Sequence, residues 1–332
     1  MAIVSVPPTI VSEQATSFIA TIFARALPGL TDTCIADFIS RLQSSIPDAT
    51  ATYRLLDASA TAPTVAELKF TTSHPIPLKE VRNLAFIAAF EEVYHAQVAI
   101  QLDNVHRRHK RLAVFDMDST LIQQEVIDEI ARKIGVEDQV SEITERAMNG
   151  ELDFAASLRA RCALLQGVSS SVFEELKQVI TLSPGAGQLV KAFKRLGYKT
   201  AVLSGGFLPL TSWQAQQLGL DYAHANHLVV SDDGKTLTGQ LTGAIVDAQK
   251  KAELVREIAK ENGIALDQVI AIGDGANDLP MMWTAGLGVA FNAKARVQQQ
   301  APVKLNSGSL VDVLFLLGLN KSDQDQLLSE EI

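Results

Sequence analysis

A chain of 332 residues with 47 % hydrophobic content has enough apolar side chains for sizeable buried cores, and suits two domains or one domain carrying an insertion. A net charge of −9 and a pI near 5.2 argue against a dedicated nucleic-acid or anionic-membrane surface. Two cysteines, Cys34 and Cys162, are too few for a disulfide framework, and the start MAIVSVPPTIV has neither a basic leader nor a membrane-length apolar run, so a cytoplasmic protein is expected.

Ser17 to Ala24 is rich in aromatic and β-branched residues and predicts a strand, with a turn at Leu27 to Gly29. Thr31 or Asp32 caps a helix that carries Ile35, Phe38, Ile39 and Leu42 at helical spacing. Ala51 to Asp57 and Ala66 to Thr72 predict a hairpin, Pro77 to Glu91 a second helix and Ala96 to Leu102 a last strand. The order βαββαβ builds a small split βαβ sandwich. HRRHKR, from His106 to Arg111, reads as a solvated basic linker, with no metal expected on His106 or His109.

AVFDMDSTLI, from Ala113 to Ile122, then runs an apolar strand into Asp116 and Asp118, followed by the hydroxyls Ser119 and Thr120. Residues two apart on a strand share a face, and two carboxylates so close repel unless a cation or a proton compensates them. Gln124 to Ile180 predicts four helices and no strand: Val126–Ile134, Val136–Met148, Phe154–Leu165 and Val172–Ile180, the last with a Ser171–Glu174 capping box. A helix to Leu196, a strand Lys199–Leu203, a helix Pro209–Leu218, a hairpin Leu228–Ile245 turning at Asp233 and Gly234, a helix Asp247–Glu261 and a strand Val269–Ile272 complete the pattern. Alternating strands and helices mean an α/β fold with a doubly wound parallel sheet, and the four helices are an insertion after its first strand.

Such sheets bind ligands at the carboxyl ends of their strands, where the remaining motifs fall. AVLSGGF puts Ser204, Gly205 and Gly206 at one strand end, where a hydroxyl and open backbone NH groups suit an anion. VIAIGDGANDLP puts Asp274, Asn277 and Asp278 at another, where oxygen donors suit a hard cation such as Mg²⁺. Lys250 and Lys251 open a helix where the macrodipole disfavours cations, which suggests an anionic neighbour. A nucleophile, a proton donor, charge neutralisers and a metal cradle are what phosphoryl transfer needs.

With these motifs the chain resembles the haloacid dehalogenase superfamily, and within it the branch acting on O-phosphoserine, its fungal members most. The matching segments are FDMDSTLIQQEVIDEIA, ITERAMNGELDFAASLRARC, VLSGGF, IVDAQKKAEL and IGDGANDLP, within Leu112 to Pro302, continuing into APVKLNSGSL. The resemblance implies a haloacid dehalogenase-like, Rossmann-like core over 106–122 and 183–320, a helical cap over 123–182, an N-terminal ACT-like α+β domain over 1–105 and a polar tail over 321–332. It implies Mg²⁺-dependent hydrolysis of O-phospho-L-serine in serine biosynthesis: Asp116 attacks phosphorus, and Asp118 protonates the leaving oxygen and then activates water. Mg²⁺ would rest on Asp116, the Asp118 backbone carbonyl and Asp274, with Asp278 supporting its waters. Ser204, Gly205 and Lys251 would hold the phosphate beside Asn277, Lys251 being preferred to Lys250 by its spacing to GDGAND. In the cap, Glu125 would meet the substrate ammonium and Arg161, with Arg159 competing, its carboxylate, under an apolar lid of Met148 and Phe154. Transfer of the phosphoryl group to another alcohol and a non-catalytic amino-acid sensor are the competing readings. The N-terminal domain is expected to form a homodimer, and neither a nucleic-acid nor a membrane partner is expected.

Overall fold

The computed structural model describes residues 15–26, 29–57, 64–148 and 151–329, except for the side chain of Met148. Its contacts divide it into two compact units, one up to Val105 together with Gly318–Lys321 and one from His106 to Leu317 with the residues after Lys321.

In the first unit, β1 (Thr16–Ala24) is followed by α1 (Asp32–Ser45), β2 (Thr50–Leu55), β3 (Val65–Thr72), α2 (Leu78–Arg82), α3 (Ala85–Val93) and β4 (Ala96–Leu102). The strands form an antiparallel sheet in the order β2-β3-β1-β4. Thr31, not Asp32, caps α1, its hydroxyl accepting from Cys34 N at 3.1 Å. Phe18, Ala20, Ile22, Leu68 and Phe70 pack one face of the sheet against Phe38, Leu42 and Phe90 of the helices. The single helix expected over Pro77 to Glu91 is two, because Leu84 turns extended (ψ 125°) and breaks the ladder. The break lets both Leu84 and Phe86 pack onto the core. Leu27 and Pro28 of the expected turn, and residues 58–63 joining the two expected hairpin strands, lie outside the described residues.

The basic segment is not the solvated linker it reads as. A single helical turn, α4 (Val105–Arg108), leads into it. Arg107 and Lys110 are buried, and the Lys110 ammonium donates to the Asp267 carbonyl at 2.6 Å. A backbone carbonyl satisfies the charge while the methylene stem covers apolar surface.

The second unit begins with β5 (Leu112–Phe115), whose four side chains are all buried, as a strand covered on both faces requires. Four helices follow, α5 (Val126–Ile134), α6 (Glu137–Met148), α7 (Phe154–Ala163) and α8 (Val172–Leu176). The capping box expected ahead of α8 does not form: Ser171 is itself helical and its hydroxyl turns to Glu175 at 3.1 Å, while Glu174 pairs with Lys177. The chain continues through α9 (Ala186–Arg195), β6 (Lys199–Phe207), α10 (Leu208–Leu218), β7 (Tyr222–Val230), β8 (Leu237–Thr242), α11 (Ala248–Glu261), β9 (Val269–Gly273) and α12 (Leu279–Thr284). It ends with β10 (Leu287–Phe291), α13 (Ala295–Gln298), β11 (Val303–Leu305), α14 (Val313–Leu316) and α15 (Lys321–Leu328).

The seven strands lie in the order β11-β10-β9-β5-β6-β7-β8, parallel except for β7 with β8. The expected hairpin is longer than its apolar pattern, since β7 starts at Tyr222, beside β6, before it turns to pair with β8. The expected polar tail is largely helix α15: Gln324 is buried, and Arg195 donates to the carbonyls of Leu327 and Ser329. Among the described residues no helix is long and apolar enough to cross a membrane.

Candidate active site

The sheet order brings the three predicted strand ends together. The chain leaves β5 towards β6 on one side and returns to β9 on the other, so the C-terminal ends of these three strands flank the switch point of the sheet. Register sets Phe115 beside both Val202 and Ile272, and Asp116 continues the ladder by donating its NH to Ile272 O at 2.9 Å. Asp116 and Asp274 therefore emerge at neighbouring ends, while Ser204, expected just past a strand ending at Leu203, lies within β6, which runs on through an irregularity to Phe207. Beyond Asp116 the chain makes a wide turn, Met117–Leu121, that carries Asp118 into the same space. A Cβ on Gly273 would come within 2.5 Å of the Asp278 carboxylate, so only glycine there lets Asp278 approach the strand.

Lys250 and Lys251 have separate fates. Lys250 pairs at the surface with Glu253 and Glu257. Lys251 is wholly buried and its ammonium donates to Asp116 Oδ1 and, at 2.7 Å, to Asp278 Oδ1. Burial alone would lower its pKa, but the two carboxylates outweigh that and hold it protonated. They also compensate a cation in the first turn of α11, which Asp247 caps through Lys250 N at 2.8 Å. Lys251, expected to hold the phosphate, is placed against Asp116 and Asp278, beside the carboxylate proposed to attack phosphorus.

Asp118 and Asp274 are both held away from their ordinary carboxylate state. Burial, then the nearby Glu125 charge, pushes Asp118 up to about 8. Its Oδ2 accepts from Val126 N at 3.0 Å, whereas its buried Oδ1 has no partner. Burial, then Asp278 and Glu125, pushes Asp274 up to about 7, against a hydrogen bond from Thr120 Oγ1 at 3.1 Å. Asp116 is raised well above the usual carboxylate range by burial and by Asp278, with Lys251 opposing.

A cavity of about 170 Å³ opens above these groups. Asp116, Asp118, Asp274 and Asn277 line it together with Glu125, Phe154, Arg161 and Gly205, all expected from the sequence. Ser204 and Asp278 are buried and, like Lys251, are not among its lining residues. Arg161 is set apart from its competitor, since Arg159 is exposed outside the cavity. The buried Arg161 Nε has no partner. Met148 ends α6, and its side chain lies outside the described residues.

Several contributors were not anticipated, Phe207 and Gly275 of the cavity lining among them. Ile127 and Leu158 add apolar wall, and in the sequence they are ordinary apolar positions of the predicted helices. Asn226, buried in β7, donates to Gly205 O at 2.9 Å and accepts from Val246 N at 2.8 Å. It ties the Ser-Gly-Gly turn to the segment leading into α11; within HANHLVV nothing distinguishes it from an ordinary strand residue.

The acid cluster fits a hard divalent cation. Oxygens of Asp116, Asp274 and Asp278 lie within 4.8 Å of one another, and the donors are oxygen only, the set Mg²⁺ takes.

The chain belongs to the haloacid dehalogenase-like hydrolases, whose family model matches residues 113–282. It is 51 % identical over 222 residues to the probable phosphoserine phosphatase of Schizosaccharomyces pombe and 50 % identical over 222 residues to the phosphoserine phosphatase of Saccharomyces cerevisiae. Each match takes in 67 % of this chain, with 74 % of the first relative and 72 % of the second. Among solved structures, a haloacid dehalogenase family hydrolase of Salmonella enterica serovar Typhi is similar over 95 % of this chain and 100 % of its own, with TM-score 0.70 and 29 % identity. The chain is a hydrolase of this family, and the resemblance carried by its motifs holds, fungal relatives included.

Proposed function

We propose that the enzyme is a Mg²⁺-dependent phosphoserine phosphatase, hydrolysing O-phospho-L-serine to L-serine and phosphate through a phosphorylated Asp116. The observation that carries this reading is one cavity holding a Lys251-anchored Asp116, a bare Asp118 Oδ1, and both an acid and a base, Glu125 and Arg161, for the two ends of an amino acid. The names of the relatives, probable phosphoserine phosphatase and phosphoserine phosphatase, support phosphoserine as the substrate.

Asp116 Oδ1 is engaged by Lys251, so attack on phosphorus falls to Oδ2, forming the aspartyl-phosphate as the bond to the serine oxygen breaks. Asp118, protonated at neutral pH, gives its Oδ1 proton to that oxygen; Val126 N fixes the other carboxylate oxygen and so decides which one faces the substrate. Asp118 then takes a proton from the water that attacks phosphorus, and phosphate leaves Asp116. Mg²⁺, when bound, would be held by Asp116, Asp274 and the Asp118 backbone carbonyl, with Asp278 beside them, and would neutralise charge on the phosphoryl oxygens. Gly205 and Gly206 leave their backbone open to the phosphate, with Ser204 behind and Asn277 beside them. Glu125 meets the ammonium and Arg161 the carboxylate, while Phe154, and Met148 with it, closes the apolar side.

Phosphate release from a panel of phosphomonoesters tests this: O-phospho-L-serine with MgCl₂ is the preferred substrate, and phosphate release that is replaced by a new phosphoester when an alcohol is added would reject hydrolysis. For the N-terminal unit we infer an ACT-like module, on its strand order, with pairing into a homodimer as its role. Two free, buried cysteines fit a reducing cytoplasm.

The acid cluster also sets a pH dependence. The folded, metal-free protein binds more protons at Asp118 and Asp274 than the unfolded chain does between the ordinary value of 3.8 and the folded values of about 8 and about 7. Stability from this source is therefore full below the unfolded pKa and is lost as pH rises through about 7 to 8. Mg²⁺ needs the Asp274 carboxylate deprotonated, whereas Asp118 offers it only a backbone carbonyl, so Mg²⁺ raises the melting temperature more at pH 8.5 than at pH 5.5; equal shifts in thermal scans would contradict the assignment.

A further inference from the structure

Ser119 has a backbone that its residue type disfavours. Its φ is +56°, one of only three positive values among the described non-glycine residues. Such a conformation is uncommon outside glycine, asparagine and aspartate, and it persists only where the surroundings hold it. What holds it is local and directed. Ser119 N donates to Gln124 O at 3.3 Å, and Ser119 Oγ donates to Glu125 Oε1 at 2.6 Å. Next to it, Asp118 Oδ2 receives Val126 N at 3.0 Å. Two successive residues of the nucleophile turn thus grip two successive residues at the start of α5, one by its side chain and one by its backbone.

The consequence is geometric. Glu125 stands just before α5, its carboxylate on the cavity wall, where the charges of Arg161 and Lys294 act on it without appearing among the ion pairs of the described residues. A carboxylate at the end of a free glutamate side chain samples several rotamers, and holding it in one costs conformational entropy. The Ser119 hydroxyl meets that cost in advance, in a short hydrogen bond to a charged acceptor.

We propose that Ser119 is a positioning residue for substrate selection. Its left-handed backbone aims the hydroxyl at Glu125 and fixes that carboxylate where an ammonium group beside the transferred phosphate will meet it. The proposal rests on the reading of Glu125 as the ammonium's partner. It makes selection for an aminated phosphomonoester depend on a residue of the nucleophile turn that touches neither phosphorus nor the substrate.

The test compares kcat/KM for O-phospho-L-serine with that for 3-phosphooxypropionate, the same molecule without its ammonium, in the wild type and in Ser119→Gly, Ser119→Ala and Glu125→Gln. Glycine adopts positive φ freely, so Ser119→Gly removes the hydroxyl while relieving the backbone, whereas Ser119→Ala removes it and keeps the strain. In both variants the preference for phosphoserine falls roughly tenfold through KM, as expected for a lost charge-assisted hydrogen bond. Ser119→Ala has the lower melting temperature of the two. A preference lost in Glu125→Gln but kept in Ser119→Gly would overturn the role of Ser119. A preference kept in Glu125→Gln as well would overturn the reading of Glu125 and the proposal with it. A loss carried by kcat on both substrates alike would also overturn it, by making Ser119 a support of the nucleophile turn.

Discussion

Asp116→Asn abolishes turnover, lowering phosphate release from phosphoserine by about four orders of magnitude, the scale on which loss of an essential catalytic carboxylate is felt. An amide oxygen in the same place is too weak a nucleophile to displace serine from phosphorus. The fold is kept, because the asparagine carbonyl still accepts from Lys251 and Lys251 still holds Asp278. Burial and the charge on Asp278 both disfavour the ionised Asp116 in the metal-free protein. Removing that charge therefore leaves the metal-free melting temperature equal to or above that of the wild type. Single-turnover assays and thermal scans on the same preparation check both halves, and residual turnover within tenfold of wild type would mean that another residue attacks phosphorus.

Lys251→Met is expected to damage stability and activity together. The ammonium is the only positive charge contacting Asp116 and Asp278 in the described structure, and it is fully buried. Methionine keeps most of the stem's volume, so the change isolates the charge. Breaking a buried ion pair by removing one partner costs up to about 3–5 kcal/mol, less to the extent that Asp116 takes up a proton in its place. Urea unfolding without divalent cations should show a loss of that order, partly recovered in MgCl₂, where a cation again compensates the acids. Turnover falls at least about a thousandfold, since an unanchored Asp116 loses its orientation and part of its charge balance. An unchanged urea midpoint would show that the fold does not depend on the Lys251 charge.

The chemistry of this site was legible because it is local in sequence. Each of the three carboxylate or hydroxyl motifs closes an apolar run, and strand-end motifs stay close to the strands that carry them. The helices of the insertion were legible for a similar reason: amphipathic segments of ten or so residues announce themselves by period. The misreadings lie where the deciding contact is distant. The Arg107–Lys110 segment carries the charge of a linker, yet Lys110 is buried on a carbonyl more than 150 residues away along the chain. Ser171 and Glu174 have the spacing of a capping box, but Ser169, Glu175 and Lys177 offer them other partners. Tyr222 to His227 shows no apolar alternation of its own and becomes a strand because β6 is there to pair with.

What the sequence determined by itself is the set of groups we propose for the chemistry: Asp116 and Asp118, Ser204 with its glycines, Asp274 with Asn277 and Asp278, and a lysine near the start of α11. The resemblance already preferred Lys251 to Lys250 and Arg161 to Arg159, but the physical reason for each preference lies in the tertiary structure. Lys251 rather than Lys250, and Arg161 rather than Arg159, face inward because helix rotation against the sheet and the cavity selects one side chain of each pair. Tertiary structure also gave Lys251 its partners and Asp118 its bare oxygen. Electrostatic energy depends on distance and burial, and neither is set by position along the chain.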